Sequence, residues 1–247
     1  MGETMRNYGD KVEIDPQAVR KFYDERFNPE RPLGSVMLSD DEEVLRRRDE
    51  NEKTRVMGLF RLDAAKTRLL DLGCGNGRWH EAFRDRVWAY EGVDFSGPNI
   101  RYAREHRQGD RVNFEIGASD QLGDLALRYA PYHFVLSCGL FVYLNDSQVE
   151  TTFRALLPLL QPDVQVYVRT SVSVMGQRLT LKDFPSEALK ANYHGIYRTP
   201  AEYEAYFRAI FEPAGFVIVG TSLLLNEEIG AKKETNQQYW LLERTGT

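Results

Sequence analysis

The first dozen positions are polar, and a chain end of that kind reads as loose. Asp15-Pro16 then joins an N-cap to a proline at the first helical position. Val19, Phe22, Tyr23 and Phe27 recur at helical spacing, which predicts a short amphipathic helix ended by Pro29 and Pro32. Ser39-Asp40-Asp41-Glu42 is a capping-box sequence; it opens a second, highly charged helix that closes with Val56, Met57, Leu59 and Phe60. From there the period changes. Short apolar runs at 68–72, 87–94, 112–116, 134–138 and 164–168 alternate with helical stretches at 79–83, 99–106 and through Val149, Phe153, Leu156, Leu157 and Leu160. This alternation predicts an α/β fold, a parallel sheet with helices on both faces.

Residues 170–198 show no repeat pattern. Thr199-Pro200-Ala201-Glu202 then combines an N-cap, a first-turn proline and a capping glutamate, so a helix starts there, with Tyr203, Tyr206, Phe207 and Ile210 as its buried stripe. Gly215 breaks it, and 217–225 and 239–243 read as two last strands, most simply antiparallel to each other.

Composition narrows the class. A chain of 247 residues with 42% hydrophobic residues is long enough for one domain with a sizeable core. The formal charge of −5 argues against a nucleic-acid partner. No apolar stretch approaches the roughly 18 residues of a membrane span. Glu3, Asp10, Glu13 and Asp15 are unlike the basic start of a signal peptide, and two cysteines make no disulfide framework. These features point to a cytoplasmic enzyme domain, monomer or homodimer, with no membrane partner.

The chemistry begins at Asp71-Leu72-Gly73-Cys74-Gly75-Asn76-Gly77. A strand that runs through glycines into a helix leaves backbone N–H groups free and lets a ligand approach the main chain closely. A nucleotide-like cofactor at the carboxyl edge of a parallel sheet suits that geometry. A dinucleotide fingerprint would need a third glycine where this chain has Arg78. Here the glycines fall at every second position, two residues after an acid. A second acid, Asp94, closes the next strand in Gly92-Val93-Asp94-Phe95-Ser96, where a carboxylate can accept hydrogen bonds from both hydroxyls of a ribose.

Together these motifs resemble the class I S-adenosylmethionine-dependent methyltransferases, with the resemblance running directly from Leu69 to Val168. It implies a seven-stranded, mostly parallel Rossmann-like sheet with an antiparallel last strand. The cofactor would be S-adenosylmethionine, leaving as S-adenosylhomocysteine. Asp71, Gly73, Cys74, Gly75 and Gly77 would form the turn beside its methionine part, Asp94 would hold the ribose, and Phe95 would lie beside the adenine. After the third strand the family often has an acid where this chain has Gly117, so the adenine contact would fall to Ala118, Ser119 or Asp120. Ser137 and Cys138 would pass under the sulfonium, Cys138 as a small apolar residue rather than a nucleophile. The chain then divides into a helical N-terminal extension (1–62), a cofactor core (63–169), a substrate-capping insertion (170–198) and a C-terminal helix and strand pair (199–247).

Ser137-Cys138-Gly139-Leu140 is unlike the sequences that mark base-amino or cytosine methylation, and no acid follows until Asp146, so no metal is implied. A small-molecule acceptor is favoured, methylated on oxygen or nitrogen. His194 is the best base by its ordinary pKa, and Tyr143 is a second catalytic candidate. Tyr193 and Tyr197, with Arg169 and Arg198 in a locally basic stretch, would bind an anionic acceptor. Rival readings are methylation of a protein or polysaccharide end, a nicotinamide-dependent oxidoreductase, and a non-catalytic cofactor-binding module.

Overall fold

The computed structural model describes residues 5–39, 41–187, 189–226 and 231–244. In chain order the elements are β1 (Arg6–Tyr8), α1 (Pro16–Arg26), α2 (Pro32–Val36), α3 (Glu42–Val56), β2 (Arg68–Leu72), α4 (His80–Phe83), β3 (Ala89–Asp94), α5 (Gly97–His106), β4 (Val112–Ile116) and β5 (Tyr132–Cys138). They continue with α6 (Asp146–Leu156), β6 (Leu160–Ser173), β7 (Leu179–Ser186), β8 (Ala191–Tyr197), α7 (Pro200–Tyr206), β9 (Phe216–Leu223) and β10 (Thr235–Arg244). The caps act as the sequence predicts. Asp15 accepts from Gln17 N, and Thr199 and Glu202 form a reciprocal capping box. At the second helix Asp41 is the N-cap, accepting from Glu43 N and Val44 N; Asp40 of the predicted box lies outside the described residues.

The main sheet has seven strands in the order β4-β3-β2-β5-β6-β10-β9. The first five are parallel, and β10 runs antiparallel to both β6 and β9. Strand direction alternates the side chains, so Leu70, Leu72 and Val135 face α6 and α7 while Leu69, Phe134 and Leu136 face α3, α4 and α5. From β2 the chain builds outward to β3 and β4, then returns to place β5 on the other side of β2. That reversal opens a crevice beyond the carboxyl ends of β2 and β5.

Two expectations are corrected. Residues 170–198 are not irregular: β6 runs on to Ser173, and β7 and β8 form an antiparallel hairpin. The period-2 pattern is hidden by a register shift between Leu181 and Phe184, where Asp183 sits at φ +49°, and by Pro185 and Gly195 within the strands. The polar start is not all loose either. Arg6–Tyr8 pairs with Leu179–Leu181 as the third strand of this small sheet, a pairing that only tertiary contact supplies.

Candidate active site

The turn after β2 carries Gly73, Gly75 and Gly77 at φ +76°, +54° and +73°, conformations that glycine adopts without strain. Gly73 N and Cys74 N both donate to Val93 O, at 2.8 and 3.1 Å, which ties the turn to β3. Asp94 stands at the end of that strand. Its Oδ2 accepts from Gly75 N (2.9 Å) and its Oδ1 from Ser96 N (2.8 Å), so two backbone donors aim the carboxylate across the crevice. Burial nevertheless pushes its carboxyl up to about 6. Asp71 does not line the crevice. It is 1% exposed, accepts a hydrogen bond from the Tyr90 hydroxyl, and burial pushes it up to about 7. Gly77 packs on Phe114, and Ser137 Oγ donates to Leu72 O (3.1 Å), joining β5 to β2 beneath the turn.

Two cavities meet here. The smaller, about 420 Å³, is lined by Gly73, Gly75, Asp94, Phe95, Asn99 and Leu140, among others. The larger, about 1090 Å³ including its open mouth, runs from Gly73 and Cys74 past Cys138 and Gly139 to Tyr193 and Tyr197. Tyr23, Val36, Cys138, Gly139 and Tyr143 line both. Tyr23 on α1, a member of the helical stripe read from the sequence, and Val36 on α2 line both cavities from the N-terminal extension. A Cβ on Gly75 would lie 2.5 Å from Val36 Cγ1, and Asn76 Nδ2 holds Pro32 O at 2.7 Å. Both cysteines line the larger cavity as thiols, their pKa values pushed up by burial. Ala118, Ser119 and Asp120 line neither cavity. Ser119 Oγ accepts from Thr152 Oγ1 (3.2 Å), and Asp120 Oδ2 from Gln148 Nε2 (3.0 Å). At Gly117 a Cβ would meet Leu125 at 2.5 Å, so an acidic side chain there would displace the packing.

The acceptor side differs from the expectation at three residues. His194 is buried on β8, one residue from Tyr193, so its side chain points to the opposite face of the hairpin. It stands 3.5 Å from Asp183 and lines neither cavity. Arg198 is 0% exposed. Its guanidinium donates to Asp146 Oδ1 (2.9 and 2.6 Å), Phe141 O (2.9 Å) and Leu144 O (2.7 Å), so it braces the turn that carries Tyr143 rather than binding an acceptor. Arg169 does line the larger cavity, but two of its nitrogens grip Glu52 of α3, both at 2.8 Å. Arg78 and Arg169 hold the Glu52 carboxyl below its usual range in spite of burial.

Tyr143, Tyr193 and Tyr197 do converge. Tyr197 and Tyr193 hydroxyls are 3.1 Å apart, Tyr193 and Tyr143 3.3 Å, and Tyr23 bonds to Tyr143. Burial raises all four phenols, which stay protonated. In a chain of net charge −5, the larger cavity is lined by Arg48, Arg78, Arg169 and Lys232 and by no carboxylate among the described residues. No group of three metal-ligating side chains occurs among the described residues, and none of their helices is long and apolar enough to cross a membrane.

The residues present fit a nucleoside cofactor. Gly73 and Gly75 line the smaller cavity, and Asp94, a half-buried carboxylate anchored by two backbone donors, lines it from the end of the neighbouring strand. Residues 69–163 match a family model described as a methyltransferase domain. The chain is 25% identical over 232 residues to phosphoethanolamine N-methyltransferase 1 of Triticum aestivum, covering 92% of this chain and 44% of the relative. Among solved structures it resembles Haemonchus contortus phosphoethanolamine N-methyltransferase 1 in complex with phosphoethanolamine and S-adenosylhomocysteine. The TM-score is 0.71 at 15% identity, over 94% of this chain and 49% of that one. It also resembles the [4+2]-cyclase SpnF, with a TM-score of 0.67 at 15% identity over 98% and 100% of the two chains. The chain spans about half the length of the phosphoethanolamine methyltransferases it matches. The matched segment holds both the glycine turn and Asp94, and the sheet around it has the fold of the similar Haemonchus contortus methyltransferase.

Proposed function

We propose that this enzyme methylates the nitrogen of a small amine that also carries a phosphate or carboxylate. The observation that carries this reading is the lining of the larger cavity, phenolic at Tyr143, Tyr193 and Tyr197 and cationic at Lys232 and Arg48, with the guanidiniums of Arg78 and Arg169 in the same wall paired to Asp49 and Glu52. Cationic side chains favour an anionic end, and guanidinium forks suit phosphate and carboxylate. Tyrosine faces and hydroxyls favour an amine, before and after it gains methyl groups. The two similar methyltransferases named for phosphoethanolamine act on a molecule of this kind.

Bound S-adenosylmethionine supplies a methyl group on a sulfonium, activated for in-line displacement. The protein's part is alignment and exclusion of water. In this reading the 73–77 turn, with Cys74, lies along the methionine part, Asp94 holds the ribose and Phe95 flanks the adenine. Cys138 and Gly139 floor the junction of the two cavities. Tyr23 and Val36 cover it. An attacking amine must carry a free lone pair, and Tyr143 and Tyr193 sit where their hydroxyl oxygens can accept the N–H bonds that orient it. Lys232, which lines the same cavity, receives the anionic end.

The test is transfer of labelled methyl from S-adenosylmethionine to phosphoethanolamine, ethanolamine, small amino acids and their O-phosphates. Label is expected on amines that carry an anionic group. Equal labelling of ethanolamine and phosphoethanolamine would refute the role of the cationic lining, and label on oxygen alone would refute the choice of nitrogen.

A further inference from the structure

Behind Asp94, Ser96 is the N-cap residue of α5, but its side chain does not cap the helix. Its hydroxyl donates instead to Asp24 Oδ1 on α1, at 2.7 Å. A carboxylate only accepts, so the one hydroxyl hydrogen of Ser96 is committed there. Asn99 lies 3.0 Å from the same Ser96 oxygen and must therefore present its Nδ2–H to it. This hydrogen count fixes which way the amide faces and leaves Oδ1 on the other side.

Asn99 is 1% exposed, and its Oδ1 has no hydrogen-bond partner among the described residues. The side chain lines the smaller cavity beside Asp94 and Phe95. A buried amide oxygen without a donor is uncommon in a folded protein, and one at the wall of a ligand cavity calls for a donor from the ligand. Each Asp94 oxygen already accepts one backbone N–H, which leaves one lone pair on each.

We propose that Asn99 Oδ1 accepts a hydrogen bond from one ribose hydroxyl of the cofactor while Asp94 accepts from the other. The inference rests on the cofactor assignment and goes beyond it. Asn99 is a ribose ligand outside the glycine turn and the strand-end acid. Through Ser96 and Asp24 it also links the ribose to α1, the helix that carries Tyr23 of the roof. Arg20 of the same helix donates to Phe95 O at 2.7 Å, a second tie between α1 and the nucleoside side of the site.

Calorimetry with S-adenosylhomocysteine and its 2′-deoxy and 3′-deoxy analogues tests this without any acceptor. Asn99→Ala is expected to weaken S-adenosylhomocysteine binding by about 2- to 12-fold, the range for one hydrogen bond. One of the two deoxy analogues should bind variant and wild type alike, because the partner hydroxyl is already gone. The other should show the full loss. Asn99→Leu keeps most of the volume and gives the same comparison should the alanine variant fail to fold, as read by circular dichroism. Unchanged affinity in a folded variant would overturn the proposal. So would an equal loss for the parent compound and both analogues, which would place the contact on the adenine or in the fold. A wild-type protein that does not bind S-adenosylhomocysteine at all would overturn it together with the cofactor assignment.

Discussion

Arg198→Met separates the sequence expectation for this residue from its place in the structure. Methionine keeps most of the stem volume and removes the guanidinium. Two buried carbonyls, Phe141 O and Leu144 O, then lose their donor, and Asp146 loses its closest partner. Asp146 is not stranded, since Arg178 stays at 3.0 Å and Lys11 at 3.5 Å, and its side chain is 28% exposed. An unsatisfied buried acceptor costs about 1–3 kcal/mol. Breaking a fully buried ion pair costs about 3–5 kcal/mol, discounted here for the remaining partners and the solvent access. The total expected is about 3–5 kcal/mol, or on the order of 10 °C in Tm for a chain of this size. Thermal and urea unfolding of both proteins would measure it. The pH dependence has a definite sign. The partners of Asp146 depress its carboxyl to about 2, so this stabilisation is complete above about pH 4 and lost as the pH falls toward 2. The gap between wild type and variant should therefore narrow in acid to the share carried by the two carbonyls, which does not titrate. A variant that melts within about 2 °C of wild type, and instead raises the acceptor KM, would refute the bracing role and restore Arg198 as a substrate ligand.

Two further outcomes probe the site. Asp94→Ala should weaken S-adenosylhomocysteine binding by about 2–4 kcal/mol, the worth of hydrogen bonds to a charged group. Wild-type affinity should also fall below about pH 6, where the buried carboxyl takes up a proton and competes with the ribose. Calorimetry from pH 5 to 8 that shows neither effect would remove Asp94 from the site. His194→Gln should leave the methyl-transfer rate within about twofold, while Tyr193→Phe, which removes the middle hydroxyl of the phenol chain, should slow it by roughly tenfold or more at unchanged cofactor affinity. The reverse ranking in single-turnover assays would return His194 to the reaction.

Local patterns carried the sheet and the cofactor turn because both are written in short segments. The parallel strands are short runs rich in apolar residues, the glycines sit at the positions that need positive φ, and Asp94 ends its strand in sequence as in space. The same locality explains the failures. Arg169, Arg198 and His194 are candidates by their chemistry, yet their partners Glu52, Asp146 and Asp183 lie on other strands and helices or across a bulge. Nothing near a guanidinium in sequence says whether it is already held. Tyr23 read as part of a helical core stripe, which it also is; that the stripe faces a cavity follows from where α1 packs.

By itself, then, the sequence determined the alternation of strands and helices, the capped start of α7, the turn at 73–77 and the acid at 94, all of them consequences of backbone conformation and side-chain period within a few residues. Tertiary structure decided what closes over that turn and which charges remain available. It made a small sheet of β1, β7 and β8, with Tyr193 and Tyr197 facing the cleft and His194 facing away. It paired Arg169 with Glu52, buried Arg198 behind Tyr143, and left the Asn99 oxygen without a donor among the described residues. Those outcomes depend on contacts between segments far apart in the chain, where burial and competition among partners, rather than residue type, set each group's role.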